Sequence, residues 1–240
     1  MEERGKLANP RRFMPELPVQ FDSKFSVAEA REMQKRLAKQ VIREDRLPRK
    51  IRFVAGLDVA YAGEMSIGAA TVLDYDSLAL IESQVAHVET RFPYIPTLLS
   101  FREISPTFAA MKKLKTQPDV FLVDGHGIAH PYRLGFASHL GLLIDKPIIG
   151  VAKSILCGNA ENMTAKGWAN LIDNGEIVGA AVMTRAGRKP VYVSVGHKVS
   201  LERSIEIVKH CIRTHRIPEP ILTAHKMANE EKRNTERADR

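Results

Sequence analysis

Residues 118–154, PDVFLVDGHGIAHPYRLGFASHLGLLIDKPIIGVAKS, constrain this chain more than any other stretch. Val120, Phe121, Leu122 and Val123 form a short apolar run rich in branched residues, the signature of a strand covered on both faces. The run ends on Asp124. In open α/β sheets, side chains at the carboxyl end of a buried strand emerge into the crevice where ligands bind. Gly125 and Gly127 then let the backbone turn sharply or approach a ligand closely. A helix is predicted from Pro131, burying Leu134, Ala137, Leu140 and Leu143, and residues 148–151 form the next strand. Lys153 leaves that strand as Asp124 leaves the first.

A chain of 240 residues with 44% apolar residues buries a full core, and residues 1–229 are expected to form one domain. No apolar run approaches the roughly 18 residues of a membrane span, and no secretory h-region follows the first charges. Two cysteines, Cys157 and Cys211, make neither a disulfide framework nor a zinc site by themselves, so a reducing, cytoplasmic setting is expected. The net charge of +8 biases the surface toward polyanions.

Residues 1–24 are expected to form a basic, proline-bearing arm. Ser26 and Glu29 make a capping box for a helix that buries Ala30, Met33, Leu37 and Val41 and turns Arg31, Lys35 and Lys39 outward. Three strands follow, at 51–61, 67–74 and 79–88, and their short turns imply an antiparallel meander. A helix then begins within 92–100, and Pro106 is expected to break it, with Ser105 capping a second helix to Leu114. Residues 159–174 are polar and read as a loop with a short helical piece. Strands are predicted at 176–183 and 190–195 around a basic turn, then a helix capped by Ser200. The tail at 230–240 has almost no apolar residue and is expected to be disordered.

Asp58 sits in the middle of an apolar strand, where an unpaired carboxylate is costly. Glu103 lies on the helix after the meander and Asp124 at the end of the fourth strand. Carboxylates on strand one, the following helix and strand four match the plan of the ribonuclease H-like fold: an α/β architecture whose mixed sheet, an antiparallel meander followed by parallel strands, is flanked by helices. Such a cluster repels itself, and Mg²⁺ relieves that repulsion. Lys153 would meet a phosphate as a point charge, and His130 and His225 are the histidines placed nearest this chemistry. Pro93 and Pro96 brace Tyr94 between them, which suits an aromatic wedge entering a base stack.

Five motifs in one order, GLDVAY at 56–61, PYIPTLLSFRE at 93–103, VDGHGIAHPYRLGFASHLG at 123–141, GVAKS at 150–154 and PEPILTAH at 218–225, resemble the endonuclease V family of deaminated-base repair nucleases. The resemblance covers residues 26–225. It implies that Asp58, Glu103 and Asp124 bind Mg²⁺, with Mn²⁺ as a substitute, and that Tyr94 is the wedge. It places Lys153 near the scissile phosphate, His225 near the metal and His130 beside the active site. It also implies a lesion pocket of Leu99, Gly125, Gly127, Gly135 and Leu156, with backbone donors around Gly125 and Gly127 reading the flipped base. The implied partner is DNA containing deoxyinosine, cut by a monomeric enzyme at the second phosphodiester 3′ to the lesion, leaving 3′-hydroxyl and 5′-phosphate ends. The family motif carries glycine where this chain has Thr97.

Two other activities fit parts of this pattern. No motif encodes a preference for or against a 2′-hydroxyl, which leaves an inosine-specific RNA endonuclease open. An actin-like phosphotransferase also uses this kind of sheet, but it needs a glycine-rich phosphate loop after the first strand, where this chain offers only Gly63.

Overall fold

The computed structural model describes residues 26–238. The arm expected at 1–24 lies outside them. Helix α1, Val27–Ala38, starts on the anticipated box: the Glu29 N–H donates to Ser26 Oγ, and the Ser26 N–H to the Glu29 carboxylate. Strands β1 (Phe53–Ala62), β2 (Met65–Asp74) and β3 (Leu80–Glu89) form the antiparallel meander. Helix α2 (Leu99–Met111) leads to β4 (Val120–Asp124), α3 (Phe136–Ile144) and β5 (Ile148–Ala152). After them come β6 (Asn159–Ala160), β7 (Trp168–Asp173), β8 (Glu176–Val182), β9 (Val191–His197), α4 (Leu201–His210) and α5 (Glu219–Ala238). The nine strands make one mixed sheet ordered β3-β2-β1-β4-β5-β9-β8-β7-β6, with β1, β4 and β5 parallel. Helices α2 and α3 cover one face, α4 and α5 the other. This is the ribonuclease H-like arrangement that the distribution of carboxylates pointed to. Among the described residues, no helix is long and apolar enough to cross a membrane.

Four elements differ from expectation. Pro106 does not break its helix: α2 runs through it as one element. An interior proline costs about 3 kcal/mol, but Phe101, Ile104, Phe108 and Met111 are buried along the same helix, at about 1.5–3 kcal/mol each. Packing therefore outweighs the lost hydrogen bond. The helix expected from Pro131 begins instead at Phe136, because Arg133 takes a left-handed φ of 55° and Gly135 is the N-cap. Part of 159–174 is strand rather than loop, since Ala169 and Leu171 alternate inward and β7 pairs with β8. The expected disordered tail is helical as far as Ala238. Once α5 is nucleated on the sheet, extending it is inexpensive, and Glu231 pairs with His87 at 2.9 Å while Lys232 reaches Glu236 at 3.7 Å.

Side chains alternate along β1, so Gly56, Asp58 and Ala60 face α5, whereas Ala55, Leu57 and Tyr61 face α2. Helix α5 reaches the sheet at Gly56, where an added Cβ would lie 1.9 Å from the Pro220 carbonyl oxygen. Thr71, on the neighbouring strand, donates its hydroxyl to the same oxygen at 3.1 Å. Gly56→Ala must push α5 off the sheet and is expected to lower the unfolding free energy by about 1–3 kcal/mol or more, measured by urea titration. A variant as stable as the parent would show that α5 is not seated there.

Candidate active site

Strands β1 and β4 run in register with Leu57 opposite Val123, so the next pair at the carboxyl edge is Asp58 and Asp124. Both aspartates point to the α5 face, and His225 meets them one turn and a half into that helix. One ligand atom from each of Asp58, Asp124 and His225 lies within 4.8 Å of the others. His225 Nδ1 is 2.7 Å from Asp58 Oδ2, and the Lys153 ammonium donates to Asp124 Oδ2. The hydrogen bond to Asp58 raises the His225 pKa, so the ring favours its charged form. Burial, then the neighbouring Asp58 charge, raises that of Asp124. Lys153 and His225 thus supply positive charge where two carboxylates crowd together.

Glu103 stands apart from this group. It rises from α2 on the other face of the sheet and accepts a hydrogen bond from the Tyr61 hydroxyl at 3.1 Å. Desolvation pushes its pKa up to about 8, with Asp58 and Asp124 adding to the shift, so it senses the aspartates without joining them. The Arg102 guanidinium lies 4.3 Å from the Tyr61 ring centre and braces this second layer. Tyr61 and Arg102 were not anticipated as site residues, although strand alternation puts Tyr61 opposite Asp58 in direction and therefore toward α2. Two aspartates with a desolvated glutamate close by suit a hard divalent cation, which would relieve the carboxylate repulsion that adds to desolvation in raising the Asp124 and Glu103 pKa values.

His130 is not part of the carboxylate group. Its Nδ1 accepts the Tyr132 N–H at 3.1 Å, which leaves the proton on Nε2 to donate to the Thr97 carbonyl at 3.0 Å. Gln34 donates to the same carbonyl at 2.8 Å. Thr97 has a φ of +72°, the region that glycine occupies without strain. Phe92, Ile95 and Leu98 pack against Ala30, Met33 and Phe101, which anchors both ends of the loop. Between them Tyr94 is 69% exposed.

The glycines expected to read a base are engaged within the protein. The Gly127 N–H donates to Ser194 Oγ at 2.8 Å and its carbonyl accepts from Gly135. The Gly125 N–H donates to Val151. An added Cβ on Gly127 would lie 2.0 Å from the Val195 carbonyl oxygen, so the missing side chain permits close packing there. Leu99 opens α2 and is half-buried, and Leu156 is 40% exposed just beyond Lys153.

A mixed sheet of this order, with paired carboxylates and a histidine at the edge of its parallel strands, defines a nuclease of the ribonuclease H-like class. The endonuclease V family model matches residues 35–226, and the chain belongs to that family. An endonuclease V from Thermofilum pendens is 47% identical over 202 residues, covering 84% of this chain and 87% of its relative. The crystal structure of endonuclease V from Streptomyces avermitilis superposes with a TM-score of 0.82 at 38% identity, covering 88% of this chain and 94% of the other. The Ciona intestinalis endonuclease V, solved with a 24mer DNA containing an inosine followed by a ribo-adenosine, gives a TM-score of 0.80 at 33% identity and coverages of 87% and 98%. Members of this family hydrolyse phosphodiester bonds, and this chain is a nuclease.

Burial depresses the His130 pKa to about 4. A histidine with a lowered folded pKa stabilises fully above its unfolded value near 6.5, and the contribution is lost as pH falls toward 4. His130→Gln keeps a donor for Thr97 but does not titrate. It is expected to reduce the loss of unfolding free energy between pH 7 and pH 4.5 by about 2 kcal/mol, read from urea midpoints. An unchanged acid limb would mean that His130 is not held neutral.

Proposed function

We propose that this nuclease requires Mg²⁺, recognises deoxyinosine in DNA and hydrolyses the second phosphodiester on its 3′ side, leaving 3′-hydroxyl and 5′-phosphate ends. The observation that carries the reading is the meeting of Asp58, Asp124 and His225 within 4.8 Å at the carboxyl edge of the parallel strands. Asp58 and Asp124 would hold the ion, with Glu103 as the third carboxylate, contributed by α2. Bound there, Mg²⁺, or Mn²⁺ in its place, supplies Lewis-acid polarisation of the scissile phosphodiester. Lys153 leaves Asp124 for a phosphate oxygen and neutralises charge as the phosphorus becomes five-coordinate. Water attacks phosphorus, the 3′-oxygen departs, and we assign to His225 the proton that the departing oxygen takes up.

Selectivity begins with extraction of the base. A hypoxanthine mispair costs less to open than a normal pair, and an inserted aromatic fills the gap left behind. Tyr94 has the exposure that this role needs. Because the Gly125 and Gly127 donors are engaged elsewhere, the pocket is assigned to Leu99, Leu156 and the loop around His126, whose ring meets the Ser154 carbonyl at 3.0 Å.

The deciding assay is cleavage of matched deoxyinosine DNA and inosine RNA in Mg²⁺. Asp124→Asn keeps the side-chain shape and removes one charge. It is expected to lower kcat by about 10²–10³-fold while lesion-containing DNA still binds in EDTA. Wild-type cleavage by this variant would sink the metal assignment, and faster cutting of the RNA would move the substrate to inosine RNA.

Tyr94→Ala separates a wedge from a packed aromatic. An exposed side chain contributes little to stability, so melting should change by no more than about 0.5 kcal/mol. Affinity for deoxyinosine DNA should fall by about 1–3 kcal/mol, and preference over undamaged duplex should shrink. Retained preference would rule the wedge out.

A further inference from the structure

The turn between β8 and β9 leaves the sheet at the catalytic edge. Val182 pairs with Val191, Tyr192 with Ala152, and Val151 with Asp124, so residues 183–190 emerge on the same side as Asp124 and Lys153. This turn carries Arg185, Arg188 and Lys189, all exposed. It is fixed to the segment that joins α4 to α5. Thr184 donates its hydroxyl to the Arg216 carbonyl at 2.8 Å, and the Arg216 guanidinium donates back to the carbonyls of Lys189 at 3.3 Å and Pro190 at 3.1 Å. Between the two segments lies a cavity of about 370 Å³ whose lining is almost wholly apolar, drawn from Ile217, Leu222 and the aliphatic stems of Arg185, Arg188 and Arg216, so the guanidinium groups do not line it.

No carboxylate lines this cavity. Among the described residues, Arg185, Arg188 and Arg216 form no ion pair, whereas Arg43, Arg91, Arg133 and Arg203 do. The guanidinium groups of Arg185 and Arg188 are exposed and without a carboxylate partner, and their planar donors match the oxygens of a phosphate. The hydrogen bonds through Arg216 hold the turn in place at the catalytic edge.

We propose that the exposed face of this turn, with Arg185, Arg188 and Lys189, is a second phosphate contact, which grips the nucleic-acid backbone a few base steps from the scissile phosphate. The proposal rests on the nuclease reading for its ligand. Three strand spacings separate β4 from β8, or about 14 Å, which corresponds to about four base steps along one strand of a duplex. A nucleic acid engaged at Asp58 and Asp124 therefore passes within reach of Arg185 and Arg188 without bending.

The test is the double variant R185Q/R188Q in the full chain, with both positions exposed and melting as the check on folding. Binding is measured in EDTA across a salt series, on a duplex of about 30 base pairs with and without deoxyinosine. A short oligonucleotide with about two nucleotides on each side of the lesion serves as the control. Both long duplexes should bind roughly tenfold more weakly, and the slope of log affinity against log salt should fall by about two. The short oligonucleotide should bind as before, and kcat at saturating substrate should not change. Long-duplex affinity and slope within twofold of wild type would overturn the proposal. Micromolar binding of inorganic phosphate at the same arginines would overturn it too, by assigning them to free phosphate. If the wild type fails to cut deoxyinosine while the variant still loses duplex affinity, the substrate assignment falls and this site stands.

Discussion

Two helices that carry the catalytic-edge chemistry are seated on the sheet by the same kind of contact, a proline carbonyl laid on a strand glycine. On one face Pro220 of α5 lies over Gly56, and on the other Pro106 of α2 lies over Gly68, where an added Cβ would be 2.1 Å from the carbonyl oxygen. Both glycines belong to the β1–β2 hairpin, so one hairpin sets the height of both helices. The consequence for chemistry is direct. From Pro220 the next turn of α5 delivers His225 to Asp58, and from Pro106 the preceding turn of α2 holds Glu103 against Tyr61. A side chain larger than hydrogen at either glycine would move a functional group as well as a helix.

Charge on this edge is divided by position. Asp58 and Asp124 crowd at the β1–β4 seam and are balanced by His225 and Lys153, which both approach from the α5 face. Glu103 comes from α2 and is held by the Tyr61 hydroxyl, and desolvation pushes its pKa up to about 8. Three strands further along, the sign reverses: the turn between β8 and β9 exposes Arg185, Arg188 and Lys189.

Much of this was legible because strands alternate and parallel strands end at one edge. Asp58 and Asp124 could be placed together from the apolar runs around them, and Lys153 followed from the next strand. The same reasoning did not place Glu103, since nothing in its spacing says which face of the sheet α2 covers. Pro106 was misread for a related reason: local propensity marks a helix end, whereas the burial of Phe101, Ile104, Phe108 and Met111 is a tertiary effect. The tail lacks apolar residues, yet α5 continues because its first turns are already fixed on β1. The glycines around Asp124 were legible as special but not in purpose. A glycine that approaches a base and a glycine that approaches Val195 look alike until the neighbours are known.

Thr97 shows how the fold spends stability at the exposed loop. A left-handed φ costs a non-glycine residue about 1–2 kcal/mol, and the β-branch of threonine makes it worse. The structure adds a further cost, because Thr97 Oγ1 and Gln34 Oε1 are both buried without a hydrogen-bond partner. What holds the conformation is the Thr97 carbonyl, which receives both Gln34 and His130. Those two donors come from α1 and from the loop after β4, elements far apart in sequence and fixed by the core. The loop therefore does not choose its shape from its own residues. Its ends are fastened, its tip carries an exposed aromatic between two prolines, and the strain at Thr97 is borne by the helix and the glycine-rich loop on either side. An aromatic presented on so constrained a support loses little entropy on entering a base stack, which is the condition for using its full stacking energy in recognition.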